Sequence, residues 1–175
     1  MSQVSSSVGE KVAKIEMLVH QLKQMDGKEK AQSTLLGYAK YQMESYLTPP
    51  HIKLLASKLE AVERGEIKRL AIFMPPRHGK SILTSEFFPA WYLGRNPKKF
   101  IICSTYGQEL ADDFGRKVRN QLQDPHYQEI FPDVGLATDS SSMRRFNTSK
   151  GGVYYAVGAG SAITGRGAHL LLIDD

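Results

Sequence analysis

A chain of 175 residues has room for one domain with a hydrophobic core. Apolar and charged fractions of 41% and 23% are those of a globular protein, and no apolar run approaches the roughly 18 residues of a membrane span. A formal charge of +5 suits a polyanionic partner, but the basic residues are scattered rather than blocked, so charge alone assigns none. The single cysteine, Cys103, excludes an internal disulfide and any multi-cysteine metal site. It lies in the apolar run FIICST, as a small packing residue does. The histidines (His20, His51, His78, His126, His169) show no paired metal-ligand spacing. The N-terminus MSQVSSSVGEK lacks the apolar segment of a signal peptide, which makes the cytoplasm the expected compartment.

Residues 1–8 are small and polar, and no ordered element is expected there. From Glu10 to about Met25, Val12, Ile15, Leu18, Val19 and Leu22 recur at helical spacing, and Asp26-Gly27 reads as the end of that helix. A second amphipathic helix is expected from about Glu29 to Tyr46. Thr48-Pro49-Pro50 breaks the chain, and a third helix runs from about His51 to Glu63 with Arg64-Gly65 as its stop.

Beyond Gly65 the pattern changes. KRLAIFM (68–74), KKFIICSTY (98–106), GGVYYAVGA (151–159) and AHLLLIDD (168–175) are short runs rich in apolar, β-branched or aromatic residues. Helical segments fall between them at Lys80 to Leu93 and at Gln108 to Gln123. Near-continuous apolar strands alternating with helices predict an α/β fold with a mostly parallel central sheet flanked by helices. The interval 124–150 holds Asp-Pro, Phe-Pro-Asp and a Ser-rich turn before RRFNTSKGGVYYAV, and reads as a β-hairpin or a surface insertion.

The stretch IFMPPRHGKS carries the first chemical signal. Gly79-Lys80-Ser81 matches the end of the phosphate loop G-x-x-x-x-G-K-[ST], but Met74 stands where the first glycine belongs. A Gly-Lys-Ser or Gly-Lys-Thr tripeptide arises by chance in about one chain in ten of this length, so its setting decides. Here it follows an expected strand and opens an expected helix, where backbone N–H groups and the helix N-terminus form an anion cradle. Lys80 would reach the β- and γ-phosphates, and the Ser81 hydroxyl would ligate Mg²⁺. Pro75-Pro76 removes two donors at the front, leaving the N–H groups from about Arg77 onward. Arg77 is either a second cation beside the phosphates or a solvated loop arginine.

HLLLIDD supplies the matching carboxylates. Four apolar residues ending in two aspartates form a Walker B pattern, with Asp174 for the metal and Asp175 as candidate base; the other reading is a strand end with solvated acids. Just upstream, the glycine-rich GAGSAITGRGAH brings Arg166 to the edge of this site, either as an arginine finger for a neighbouring subunit or as a turn residue.

Together these stretches resemble the ATPase domain of the terminase large subunit of tailed bacteriophages, over roughly Gln32 to Asp175. MPPRHGKS carries most of the resemblance, because terminases have deviant phosphate loops with a basic residue ahead of the glycine. STYGQELADDFGRKVRNQL is similar to the next strand-helix unit of that family, and SAITGRGAHLLLIDD to its arginine loop plus Walker B. The resemblance implies a P-loop NTPase of the ASCE type, preceded by a helical N-terminal segment (1–48, with 49–175 as a partial ATPase domain) and incomplete at its C-terminus. It implies ATP and Mg²⁺ as cofactors, double-stranded DNA as translocated substrate, the portal protein and small terminase subunit as partners, a homo-oligomeric ring on the portal, no membrane, and the host-cell cytoplasm as location. Carried over by position, Arg77, His78, Gly79, Lys80 and Ser81 would bind the nucleotide and Ser81 and Asp174 the metal. Lys80, Asp175 and Arg166 would serve catalysis, with Arg166 acting in trans. Many terminases end Walker B in Asp-Glu, so the Asp-Asp here leaves the base open between this residue and another. The coupling motif, the rest of the ATPase sheet and the nuclease domain do not occur in these 175 residues; the expectation is a chain that cannot cut DNA and hydrolyses ATP weakly by itself. The competing readings are another P-loop nucleic-acid ATPase, of helicase or recombination type, and a DNA-binding or scaffold module that no longer hydrolyses nucleotide.

Overall fold

The computed structural model describes residues 2–140, 142–161, 165 and 167–174. Three helices come first: α1 (Ser2–Ser33), α2 (Leu35–Gln42) and α3 (Pro50–Glu63). A π-helical segment (Ile82–Phe87) then runs directly into α4 (Phe88–Arg95), followed by β1 (Phe100–Thr105), α5 (Gln108–Gln123) and α6 (Pro125–Ile130). Strands β2 (Arg145–Asn147), β3 (Val153–Gly158) and β4 (Leu170–Asp174) complete a four-stranded sheet in the order β2-β3-β1-β4. β1 pairs in parallel with both β3 and β4, and β2 is antiparallel to β3. The architecture is therefore α/β with a mixed, mostly parallel sheet, and the stretch after Asp124 does contain a hairpin, β2–β3.

The N-terminal region departs from expectation in three places. Helix begins at Ser2, within the stretch expected to be unordered, and it runs through Gly27 to Ser33. The Lys30–Asp26 ion pair at 2.6 Å bridges the glycine along the helix, and the helix end docks through Lys28 to Glu129 at 3.0 Å. The break comes instead at Thr34. Its backbone is extended (φ −130°, ψ 142°), its hydroxyl accepts from the Gly37 N–H, and it donates to the Lys30 carbonyl at 2.9 Å. Gly37 is required there, because a Cβ would collide with the Lys30 carbonyl. That corner folds α2 back on α1.

One core joins α2, α4, α5, α6 and the sheet. Tyr38, Trp91, Tyr127 and Tyr154 are among its largest fully buried side chains. The Tyr38 ring meets Phe87 and Tyr127 edge-on, each at 6.2 Å, while its hydroxyl donates to Gln121 Oε1 at 2.8 Å. Trp91 Nε1 donates to the Gln32 carbonyl, fixing the end of α1 against α4. α5 presents Ala111, Phe114, Val118 and Leu122 to the core at helical spacing. Cys103 is fully buried on β1, and burial pushes its thiol up to about 11, in keeping with a packing residue.

The run 68–74 is the fourth departure. Leu70, Ile72 and Met74 pack on the core while Ala71, Phe73 and Pro75 face out, the alternation of an extended chain. Yet it pairs with no strand among the described residues. A groove of about 690 Å³ separates it from β4, lined on one side by Leu70 and Ile72 and on the other by Leu170 and Leu172, with Phe88 and Leu59 also contributing to the wall.

Candidate nucleotide-binding site

Two local conformations shape the loop that ends at Ser81. Arg77 has φ 62°, the only non-glycine residue in the left-handed region among the described residues, and Gly79 has φ 85°. Two such residues, separated only by His78, coil the backbone tightly before the chain turns helical at Lys80. Gly79 is held from below by α3: a Cβ would lie 3.1 Å from Ile52 Cδ1. The loop and the first residues after it enclose a concavity of about 680 Å³ lined by Arg77, Gly79, Lys80 and Ser81, with Met74 and Pro76 among the other walls. His78 is not part of that lining. Its Nδ1 lies 2.8 Å from the Pro76 carbonyl, and its ring stands edge-on to His51 at 5.9 Å.

Asp174 ends β4, which its parallel pairing with β1 sets beside Thr105. Among the described residues it is the one acid in the buried set, 6% exposed. Lys80 Nζ lies 3.3 Å from its Oδ1, and the Ser85 hydroxyl donates to Oδ2 at 2.7 Å. Both carboxylate oxygens are thus held from the helix that follows the loop. Thr84 adds to the arrangement, donating from Oγ1 to the Lys80 carbonyl at 3.0 Å and lying 3.2 Å from Ser85 Oγ.

The π-helical segment explains how residues five apart reach one carboxylate. A regular α-helix sets residue i+5 well over 100° around the axis from residue i, whereas a π turn stacks i+5 on i. Its cause is in the sequence: Pro89 has no N–H for the Ser85 carbonyl four residues back. The ladder widens, and the Phe88 N–H bonds to the Leu83 carbonyl instead. Sequence reasoning missed Ser85. The usable signal was a proline four residues after a serine, inside a run that otherwise reads as helix.

The sequence-predicted residues therefore divide. Arg77, Gly79, Lys80 and Ser81 share one concavity, and Lys80 reaches Asp174 across the edge of the groove. His78 lies on the loop but outside its hollow. Asp175 and Arg166 lie outside the described residues. The donors suit a phosphate with its divalent ion: loop N–H groups, an ammonium and a hydroxyl on one side, and a carboxylate on the other. Among the described residues, no cluster of three or more His, Cys, Asp or Glu side chains forms a metal site from protein ligands alone. A metal here would need oxygen ligands from phosphate and water, the usual habit of Mg²⁺.

Comparison with protein families supplies the deciding observation. The family described as "Terminase large subunit, T4likevirus-type, N-terminal" matches residues 71–175, a span that begins just ahead of the loop and runs through β4. The chain belongs to the terminase large subunit family. It is thus related to the proteins with which bacteriophages package DNA. No curated protein and no solved structure matches the chain. Terminase membership fits the site's layout, since the matched span contains the loop, Ser85 and Asp174 together. Among the described residues, no helix is long and apolar enough to cross a membrane.

Proposed function

We propose that this chain is the ATP-binding and ATP-hydrolysing motor portion of the terminase large subunit, and that it couples hydrolysis to movement of double-stranded DNA into procapsids. One observation carries the reading: Lys80, at the start of a helix after a tightly coiled loop, lies 3.3 Å from Asp174 at the end of a parallel strand. In this reading the loop is a P-loop, with 74–81 as Walker A and 170–175 as Walker B. Backbone N–H groups from Arg77 to Ser81 hold the β- and γ-phosphates, Lys80 neutralises them, and Ser81 and Asp174 hold Mg²⁺ through its oxygen shell. Bound Mg²⁺ would offset phosphate charge and orient the γ-phosphoryl group for attack by water. Ser85 fixes the rotamer of Asp174, and the π-helical segment keeps Lys80 and Ser85 on one side. Asp175 is the proposed base and Arg166 the proposed finger toward a neighbouring subunit. The same reading gives the portal protein and the small terminase subunit as partners, a ring of copies as the working assembly, and the host-cell cytoplasm as its place of action.

The test is nucleotide binding by the whole chain, followed with a fluorescent ATP analogue in Mg²⁺. Wild type should bind and Lys80→Ala should bind at least about tenfold more weakly, having lost a charge-assisted contact to phosphate. Negligible binding by both proteins would favour a scaffold without nucleotide. DNA association, measured alongside, should weaken steeply with added salt because its contacts are to phosphates.

A further inference from the structure

Basic residues that are scattered in the sequence are gathered by the fold at one edge. That edge is made by the starts of the parallel strands, opposite the end where Lys80 meets Asp174. The turn ahead of β1 is held against the hairpin turn ahead of β3: the Pro97 carbonyl accepts from the Gly152 N–H at 3.0 Å, and the Lys99 carbonyl from the Val153 N–H at 3.1 Å. On the other side β1 meets the start of β4. There the His169 N–H donates to the Phe100 carbonyl at 2.8 Å, and the Phe100 N–H to His169 Nδ1 at 3.0 Å. The run 68–74 leads to the loop whose Lys80 meets Asp174, so its far end, Lys68-Arg69, lies across the groove from Ala168 and His169. One edge thereby carries Lys150, Lys98, Lys99, Lys68 and Arg69, all exposed.

These five cations differ from many others in having no acid to meet. Elsewhere on the surface Arg116 pairs with Asp113, Lys117 with Glu86 and Lys28 with Glu129. None of the five has an ion-pair partner among the described residues. Two acids close to them in the chain are engaged by other groups: Arg64 holds Glu66 at 2.7 Å, and Arg95 and Asn96 hold Glu63 at 3.0 and 2.9 Å. Against the five stands Asp133, whose carbonyl accepts from the Ser149 hydroxyl at 3.5 Å beside the hairpin turn. The edge keeps a clear positive excess.

We propose that this edge binds the phosphate backbone of double-stranded DNA. The proposal rests on the DNA-packaging reading above and adds where the duplex lies, at the end of the sheet opposite the nucleotide. Neighbouring strands are about 5 Å apart, so the starts of β3, β1 and β4 span about 10 Å before either flank is added. A duplex presents one phosphate charge per about 1.7 Å of its axis, several of them along such a row. Cations on flexible stems suit contacts that position a backbone and read no base. They form a row across strand starts, not the polar face of an amphipathic helix, the form that membrane binding takes. β1 and β4 run from this edge to the end where Asp174 stands, so DNA and nucleotide would load the same strands from opposite ends.

Fluorescence anisotropy of the full chain with a labelled random-sequence duplex of about 30 base pairs, in salt from about 50 to 200 mM, tests this. Five engaged cations predict a slope of log K on log salt of about −4.5, since each phosphate contributes about −0.9. Lys98→Gln, Lys99→Gln should bind at least about tenfold more weakly at low salt, with a slope shallower by about 2. The charge-matched control Lys53→Gln, Lys58→Gln, at exposed lysines of α3, should keep the wild-type slope. Both variants should keep the wild-type melting temperature and the wild-type binding of the ATP analogue, because the four side chains hold no partner. A steep wild-type slope that Lys98→Gln, Lys99→Gln leaves unchanged, or that the control reduces as much, overturns this inference while the packaging reading stands. A wild type that binds the ATP analogue but no duplex overturns both the edge and the DNA-translocation reading. Displacement of the duplex by poly-glutamate at equal charge concentration, or equally tight binding to anionic vesicles, would overturn it too, by assigning the edge to an acidic protein or a lipid surface.

Discussion

The contact between Lys80 and Asp174 sets up a competition that a single substitution exposes. In the nucleotide-free protein the ammonium sits 3.3 Å from a carboxylate that is 6% exposed, while the lysine side chain is 27% exposed. ATP must draw on the ammonium that Asp174 already engages, and it brings negative charge close to that buried acid. Asp174→Asn keeps the shape and still accepts from Ser85, but it removes both the ion pair and the repulsion. A pair at this depth contributes about 1 kcal/mol, so without metal the variant should bind ATP about fivefold more tightly than wild type. With Mg²⁺ the order reverses, because wild type gains a carboxylate ligand for the ion and the variant does not. The assay is one titration with the fluorescent ATP analogue, run in EDTA and again in excess Mg²⁺. Should Asp174→Asn bind more weakly than wild type in EDTA, the reasoning fails, and the contact would have to be read as a strand-end anchor.

Two other consequences can be checked on the same preparations. Ser85 and Lys80 act on the two oxygens of one carboxylate, so Ser85→Ala and Lys80→Ala should not be additive in urea unfolding; a coupling of about 0.5 kcal/mol or more is expected, and strict additivity would mean that the two side chains do not share Asp174. Ser85→Ala alone should cost about 1–3 kcal/mol, the loss of a hydrogen bond to a buried charged acceptor. The second consequence concerns pH. The Tyr41 hydroxyl and then Lys28 hold the Glu129 carboxyl below its usual range. A lowered folded value means stabilisation that is fully present above the unfolded value of about 4.3 and is lost as pH falls through the folded one. The difference in melting temperature between wild type and Glu129→Gln should therefore be constant from neutral pH to about pH 5 and shrink below it. A difference that persists unchanged to pH 3 would place its origin in packing.

How much of this was legible in the sequence follows from how local each signal is. The β1 and β4 runs were readable because FIICST and LLLID are near-continuous apolar runs of the kind parallel strands carry, although β4 buries only one of its faces. That Lys80 and Asp174 would come to one place was readable because each sits in a short motif whose spacing carries the chemistry; the direct contact between them was not. The α1–α2 corner was not. Asp26-Gly27 is the stronger breaker by composition, but the helix is carried across it by docking on α6, and the break is set by Thr34 and by the close approach that Gly37 permits. Those are tertiary decisions, invisible to propensity. The stretch 68–74 shows the converse: its composition and alternation are those of a strand, yet a strand is defined by a partner, and a groove lies where the ladder would be.

That groove changes what holds the site together. In a closed parallel sheet, ladder bonds between neighbouring strands would fix the loop at the end of one strand relative to the acid at the end of another. Here no ladder joins 68–74 to β4 among the described residues, so the register between loop and Asp174 is carried by side chains. Ser85 and Lys80 reach from the helix to the acid, and the π-helical segment that Pro89 enforces aims both at it. Ahead of Asp174, Leu171 and Ile173 are exposed on one face of β4 at 56% and 78%, and Phe73 on the opposite flank of the groove is 93% exposed. Across that groove the phosphate-facing loop and Asp174 are therefore joined by the Lys80 and Ser85 side chains, so a shift of the loop on nucleotide binding would reach β4 through those two contacts.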